Sequence, residues 1–151
     1  MDTTNVTIDR AIFKAYDIRG IYGRDLTEEI AYRIGRAAAH YLNVTDVAVG
    51  RDMRLSSPQL AAALIQGIID QGVNAIELGL TTTDELYFAV GKFNYPAGVM
   101  ITASHNPGEY NGMKFCRAQA FPISLESGLA DIRDLAISGK FAEPAHKGRI
   151  I

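Results

Sequence analysis

The chain is predicted to form a three-layer α/β/α domain around a mixed, mostly parallel sheet. Short apolar segments alternate with longer amphipathic segments along most of the chain. Several amphipathic segments follow Ser or Thr, which are preferred N-cap residues of helices. Polar clusters follow some of the apolar segments, where α/β proteins place their chemistry. Strands that alternate with helices are typical of a largely parallel sheet covered by helices on both faces.

Four helices are predicted from capping residues and periodicity. Residues 28–42 follow the N-cap candidate Thr27 and begin with two glutamates, which the positive end of the helix dipole favours. A second helix starts at Ser57-Pro58, with serine at the cap and proline at the first helical position, and ends at Gly72. The other two predicted helices cover residues 84–92, after a threonine-rich loop, and residues 124–138.

Five strands are predicted between these helices. They cover residues 12–18, 44–49, 73–78, 97–102 and 113–117. The first strand is expected to run into a loop at Arg19-Gly20. The last two strands are separated by only a short loop, so we predict that they pair antiparallel.

Composition narrows the class of protein. With 151 residues, 48% of them apolar, the chain is long enough for one domain with a packed core. A formal charge of −2 gives no electrostatic reason to expect nucleic acid or a membrane as a partner. The single Cys116 excludes an intrachain disulfide and is predicted to be a core residue. Neither a signal peptide nor an apolar run of about 20 residues is present, so we predict a cytoplasmic protein.

The segment Gly98–Pro107 carries the most chemical information. Its apolar strand gives way to polar residues that place the Ser104 hydroxyl beside the His105 imidazole. Ser104 is either a reacting group or an ordinary loop serine, and His105 either titrates near neutral pH or is a hydrogen-bonded loop residue. Lys114 follows the turn dipeptide Asn111-Gly112 at a predicted strand start. It is either a charge clamp and proton carrier for a phosphate or a solvated lysine.

Two further polar patches leave predicted strands. Residues 50–58 enter a helix through two arginines and two serines, a combination that favours phosphate, unless Arg51 and Asp52 only pair with each other. Residues 14–20 contain Tyr16 and Arg19, which either line a pocket or cover a strand end. No patch is a Walker loop or a dinucleotide fingerprint, and no Cys and His spacing is typical of a metal site.

Taken together, these patches resemble the α-D-phosphohexomutases, a family that includes bacterial phosphomannomutase/phosphoglucomutase. The matching motifs stand in the family's order at Lys14–Gly20, Val49–Pro58, Met100–Pro107 and Glu109–Lys114. The resemblance covers the family's N-terminal catalytic-serine domain, so residues 1–151 are predicted to be that single domain. It implies the fold of phosphoglucomutase domain 1.

The resemblance also implies an activity. Ser104 would be the phosphoserine that moves a phosphoryl group between the 1- and 6-positions of a hexose phosphate, through a hexose 1,6-bisphosphate intermediate that also acts as activator. Mg²⁺ would bind through the phosphate on Ser104. Tyr16, Arg19 and Lys114 match substrate-binding positions. Arg19, His105 and Lys114 match catalytic positions, with His105 and Lys114 favoured for proton transfer.

Complete members of the family have four domains, and the sequence lacks motifs of domains 2–4, including an aspartate-rich metal loop. From Lys140 onward the chain loses periodicity and is predicted to lead out of the domain. The fragment is therefore expected to be inactive alone, with a hexose phosphate and the missing domains as its partners. The alternatives are a non-catalytic domain that binds phospho-sugars or a protein partner, and a serine hydrolase using Ser104 and His105.

Overall fold

A five-stranded mixed sheet forms the middle layer of the domain. The computed structural model describes all residues from Met1 to Ile151. The strands are β1 (Ile18–Ile21), β2 (Asp46–Arg51), β3 (Asn74–Leu80), β4 (Ala97–Ile101) and β5 (Tyr110–Arg117), in the spatial order β1-β5-β4-β2-β3. β2 pairs parallel with β3 and β4, whereas β5 pairs antiparallel with β4 and β1. Four strands thus share one direction and only β5 opposes them, which confirms the predicted sheet and its antiparallel pair.

Helices cover both faces of this sheet. The helices are α1 (Glu28–Leu42), α2 (Ser57–Asp70), α3 (Thr83–Lys92) and α4 (Ala130–Ser138). The larger apolar core joins α1, α2 and α4 to one face of the sheet, and a smaller core packs α3 on the other. The predicted three layers are confirmed. None of the helices is both long and apolar enough to span a membrane.

Of the two predicted N-caps described here, the cap of α1 is confirmed and the cap of α2 is wrong. Thr27 accepts a hydrogen bond from the Ile30 N–H (3.3 Å), as expected for an N-cap. Ser57, the predicted cap of α2, is instead the first helical residue, and Ser56 occupies the cap position. The reason is that the Ser57 hydroxyl donates to Asp52 (2.5 Å) and therefore does not cap the helix.

The strand predicted over residues 12–18 and the helix predicted over residues 124–138 differ from the observed elements. Of residues 12–18, only Ile18 belongs to a strand: Arg10–Ile12 is a short 3-10 helix, and a turn follows in which the Lys14 N–H donates to the Asp17 carbonyl (2.8 Å). Arg19 and Gly20, predicted to lie in a loop, belong to β1 because they pair with β5. The helix predicted over 124–138 is interrupted at Gly128, where φ is +151°, so only its second half forms α4.

The carboxyl-terminal segment returns to the sheet. The Ala75 N–H donates to the Arg149 carbonyl (3.0 Å), and the Ile151 N–H donates to the Ala75 carbonyl (2.8 Å). The segment predicted to lead out of the domain therefore pairs with the free edge of β3. Such pairing protects backbone groups that an open edge strand would leave unpaired.

Cys116 is fully buried in the smaller core, as predicted. Burial raises the pKa of its thiol from 9.0 to about 11. We expect a thiol reagent at pH 8 to leave the folded chain unlabelled and to label it fully after denaturation, because thiolate is the reactive form. Since the unfolded thiol ionises first, Cys116 should also make stability fall as pH rises from about 9 towards 11. Rapid labelling of the folded chain would contradict this.

Candidate active site

Ser104 lies in the loop of residues 102–109 that joins β4 to β5, called here the serine loop. Thr102 and Ala103 are buried, whereas Ser104 and His105 are exposed. Ser104 has a φ of +53°, a left-handed conformation that is uncommon for a residue with a side chain. Its N–H donates to the Thr102 hydroxyl (3.1 Å). The loop therefore fixes the Ser104 backbone at a position where the residue is open to the surface.

Residues 52–56, which join β2 to α2, form a second loop beside it, called here the arginine loop. The Asp52 carboxylate accepts hydrogen bonds from the hydroxyls of Thr102 (2.7 Å) and Ser57 (2.5 Å). Its ion-pair partner is Arg54 (3.3 Å), not Arg51, so the alternative that Arg51 and Asp52 pair with each other is wrong. Because β2 and β4 are parallel neighbours, their carboxyl ends bring the two loops together.

Asn111 joins the arginine loop to β5. Its buried side-chain amide donates to the hydroxyls of Ser56 (2.8 Å) and Ser57 (2.9 Å). The amide oxygen accepts from the Gly112 N–H (2.9 Å). The prediction that Asn111-Gly112 forms a turn is wrong, since both residues lie within β5. The Asn111 side chain instead links the start of β5 to the start of α2.

A cavity of about 550 Å³ opens beside the serine loop. Ser104 and His105 line it. Of its two carboxylates, Glu85 caps α3: it accepts from the Thr82 N–H (2.8 Å) and the Thr81 hydroxyl (2.7 Å), which lower its pKa. The other wall residues are Asp52, Met53, Leu80, Thr81, Thr82, Thr83, Met100 and Thr102. We call this the serine cavity.

Arg19 and Lys114 share one carboxylate. Asp17 forms an ion pair with Arg19 and lies 3.3 Å from the Lys114 ammonium nitrogen. The Nε of Arg19 is buried and has no hydrogen-bond partner. Lys114 lies within β5, not at its start as predicted, so the strand rather than a turn holds it in place. The two predicted cationic groups are therefore brought together by Asp17, a residue that the sequence analysis did not single out.

Arg19, Lys114 and Asp17 are called here the cation cluster. Strand register places this cluster next to the serine cavity. Lys114 is directly opposite Met100 of β4, and directly opposed residues of antiparallel strands project from the same face. Met100 lines the serine cavity. Arg19 is opposite Gly112, whose carbonyl accepts from the Thr102 N–H (3.0 Å). No hydrogen bond or ion pair joins Arg19 or Lys114 to Ser104.

Tyr16 lies apart from the serine cavity. Its side chain is 77% exposed, and it lines a small pocket of about 190 Å³ with Ala15, Ser124, Leu125 and Glu126. The Leu125 N–H donates to the Ala15 carbonyl (2.7 Å), which holds this turn against the segment before α4. The structure therefore does not bring Tyr16 to the wall that contains Ser104.

The residues of this chain do not form a complete magnesium site. No group of three or more His, Cys, Asp or Glu side chains is arranged to hold a metal ion. The two carboxylates of the serine cavity, Asp52 and Glu85, already accept several hydrogen bonds each. Hard cations require several oxygen ligands, so Mg²⁺ would need groups from outside this chain.

The chain is an α/β/α domain, since helices cover both faces of a mixed sheet. Its candidate active site lies at the carboxyl ends of the parallel strands, where the exposed Ser104 follows β4. Residues 10–143 match the family model described as phosphoglucomutase/phosphomannomutase, alpha/beta/alpha domain I. The chain belongs to the phosphoglucomutase/phosphomannomutase family. The resemblance seen in the sequence and the predicted fold class are both confirmed.

Relatives show how the chain compares in length. A phosphomannomutase of Klebsiella pneumoniae is 47% identical over 140 residues, which are 91% of this chain and 89% of that protein. A phosphomannomutase of Escherichia coli is also 47% identical over 140 residues, but these are only 31% of its length. The X-ray structure of a family protein from Burkholderia thailandensis superposes with a TM-score of 0.86 and 31% identity, over 96% of this chain and 33% of that one. The chain thus spans about a third of the last two proteins.

Proposed function

We propose that this chain supplies the phosphoryl-carrying serine of a phosphohexomutase. The proposal is supported by the position of Ser104, which is exposed, has a hydrogen-bonded backbone and lines the serine cavity. Phosphoryl transfer depends mainly on positioning and on charge stabilisation, so it does not need a nucleophile activated by a triad. The bond from Ser104 Oγ to phosphorus would form as the bond from phosphorus to a sugar oxygen breaks. The serine proton would pass to a base, and the sugar oxygen would take up a proton.

The neighbouring side chains have the chemistry to support this step. His105 follows Ser104 and lines the same cavity, so it is our candidate for carrying the proton. A phosphoserine carries about −1.5 to −2 charges at neutral pH and needs nearby cations. Lys114 and Arg19 lie on the strands beside the cavity and would supply that charge. Lys114 could also return the proton to the sugar.

Asp17 pairs with both cations of the cluster. Its carboxylate holds Arg19 and Lys114 side by side. An arriving phosphoryl group would share or displace these contacts, since guanidinium and ammonium groups bind phosphate well. We assign substrate binding to Arg19 and Lys114. Tyr16 lines a separate pocket, so its substrate-binding role rests on the family resemblance alone.

The remaining parts of the enzyme would come from further domains. The E. coli and B. thailandensis proteins are about three times as long as the matched region. We propose that those domains provide the missing Mg²⁺ ligands and the contacts that select the hexose phosphate, and that the enzyme acts in the cytoplasm. The isolated chain would then bind the hexose phosphate weakly and convert little of it.

The test is a mutase assay on the full-length protein that carries this domain. With Mg²⁺ and hexose 1,6-bisphosphate present, we expect conversion of mannose 1-phosphate or glucose 1-phosphate to the 6-phosphate. The 151-residue chain should show little or no conversion under the same conditions. A full-length protein that binds these sugars but isomerises neither would instead support the non-catalytic binding domain.

A further inference from the structure

The Arg54 side chain connects the arginine loop to the serine loop. Its guanidinium donates four hydrogen bonds to backbone carbonyls of residues 104–110. Nη1 donates to Pro107 (2.7 Å) and Tyr110 (3.1 Å), and Nη2 donates to Ser104 (3.0 Å) and Asn106 (2.7 Å). Only a planar guanidinium has enough donors, suitably arranged, to hold four such acceptors together.

A second series of contacts links the other side of Ser104 to the same arginine. The Ser104 N–H donates to the Thr102 hydroxyl (3.1 Å), and that hydroxyl donates to Asp52 Oδ2 (2.7 Å). Asp52 Oδ2 lies 3.3 Å from Arg54 Nε, an ion-pair contact without hydrogen-bond geometry. The Arg54 N–H donates to Asp52 Oδ1 (3.0 Å). The N–H and the C=O of Ser104 therefore belong to one closed ring of polar contacts.

Burial strengthens the polar contacts of this ring. The side chains of Arg54 and Asp52 are only 7% and 13% exposed, so solvent screens their contacts less than at the surface. Both terminal nitrogens of Arg54 already donate twice, which leaves the guanidinium no free terminal N–H for a phosphoryl group. Arg19 differs in this respect, because only one of its terminal nitrogens, Nη2, has a hydrogen-bond partner, the Asp17 carboxylate. The Nε of both arginines is buried without a hydrogen-bond partner.

We propose that Arg54 is a positioning residue for phosphoryl transfer at Ser104. It acts through the backbone of the serine loop, where it holds Ser104 in its left-handed conformation without touching the phosphoryl group. This inference rests on the proposed function, because it gives Arg54 a part in the same step. A small displacement of a reacting group lowers the reaction rate strongly, because phosphoryl transfer requires a near-attack geometry.

The test uses Arg54→Lys in the full-length protein. Lysine keeps the positive charge, but one ammonium group cannot span four carbonyls. We expect kcat to fall roughly 30-fold, while KM for the hexose phosphate stays within about two-fold. Added methylguanidinium should restore part of kcat in Arg54→Ala. In the 151-residue chain, hydrogen exchange at the backbone N–H groups of the serine loop should rise about ten-fold or more in Arg54→Lys, while that of α1 and α2 stays unchanged.

Arg10→Lys is the matched control, because Arg10 is 64% exposed and makes only a surface ion pair with Asp134 (3.6 Å). It should leave kcat, KM and exchange unchanged. If Arg54→Lys does not fold, Thr102→Val provides a second variant, since it breaks the ring at the hydroxyl and should lower kcat without raising KM. An unchanged kcat, a raised KM at constant kcat, or unchanged exchange in the serine loop would overturn the proposal. Wild-type protein without turnover would instead refute the proposed function, and the exchange measurement would still show whether Arg54 holds the loop.

Discussion

Ser104→Ala is expected to abolish hexose-phosphate isomerisation by the full-length protein. The substitution removes the only exposed hydroxyl of the serine loop, while the backbone contacts of residue 104 to Thr102 and Arg54 do not involve its side chain. We expect kcat to fall by at least about 1,000-fold, which corresponds to about 4 kcal/mol of transition-state stabilisation. The measurement is steady-state conversion of a hexose 1-phosphate to the 6-phosphate.

Ser138→Ala is the control for this prediction. Ser138 is an exposed serine at the end of α4, and its hydroxyl donates to the Leu135 carbonyl (3.0 Å) and accepts from the Lys140 N–H (3.2 Å). It should retain wild-type kcat. Ser104→Ala should keep the wild-type unfolding midpoint, which would show that the loss is chemical. If Ser104→Ala retains substantial activity with the same bisphosphate dependence, another residue carries the phosphoryl group.

Gly67→Ala is expected to destabilise the domain by about 3 kcal/mol. Gly67 lies on α2 where this helix packs closely against α1. A Cβ at residue 67 would lie 2.1 Å from the carbonyl oxygen of Tyr32, and backbone cannot move away as a flexible side chain can. Gly35 of α1 faces the same crossing, since its Cβ would lie 2.3 Å from the Leu64 carbonyl oxygen. The substitution should separate the two helices and expose part of the larger core.

Urea unfolding of the 151-residue chain measures this effect as a lower midpoint. Gly91→Ala is the matched control, because Gly91 lies in α3 and a Cβ there would meet nothing within 4 Å. Alanine is a better helix former than glycine, so this control should stabilise the chain by roughly 0.5–1 kcal/mol. Equal midpoints for wild type and Gly67→Ala would contradict the close crossing of α1 and α2.

Local sequence signals predicted most of the fold. The strands lie within one to three residues of their predicted bounds, apart from β1, and the short connection after residue 102 correctly indicated an antiparallel β5. The failures have physical reasons. Arg19 and Gly20 join the sheet only because β5 offers a partner, and Asn111-Gly112 stays extended because buried serines satisfy the asparagine amide. These are contacts between residues distant in sequence, which periodicity does not contain.

The candidate site was predictable only in part. Ser104 and His105 line one cavity, and Arg19 and Lys114 share the Asp17 carboxylate, whereas their catalytic and substrate-binding roles stay predictions. The supporting groups Asp17, Asp52 and Arg54 were missed as partners because their roles depend on strand order and register. Two parallel strands must first place the arginine loop beside the serine loop before Arg54 can reach carbonyls about fifty residues away along the chain.

If Ser104 carries the phosphoryl group, the intact mass of the full-length protein will show it. After incubation with hexose 1,6-bisphosphate and Mg²⁺, the mass should increase by about 80 Da, the mass of one added phosphate. Peptide fragmentation should place that group on Ser104, and Ser104→Ala should gain nothing. An unchanged mass for the wild type, or a phosphate located on any other residue, would show that Ser104 does not carry the phosphoryl group.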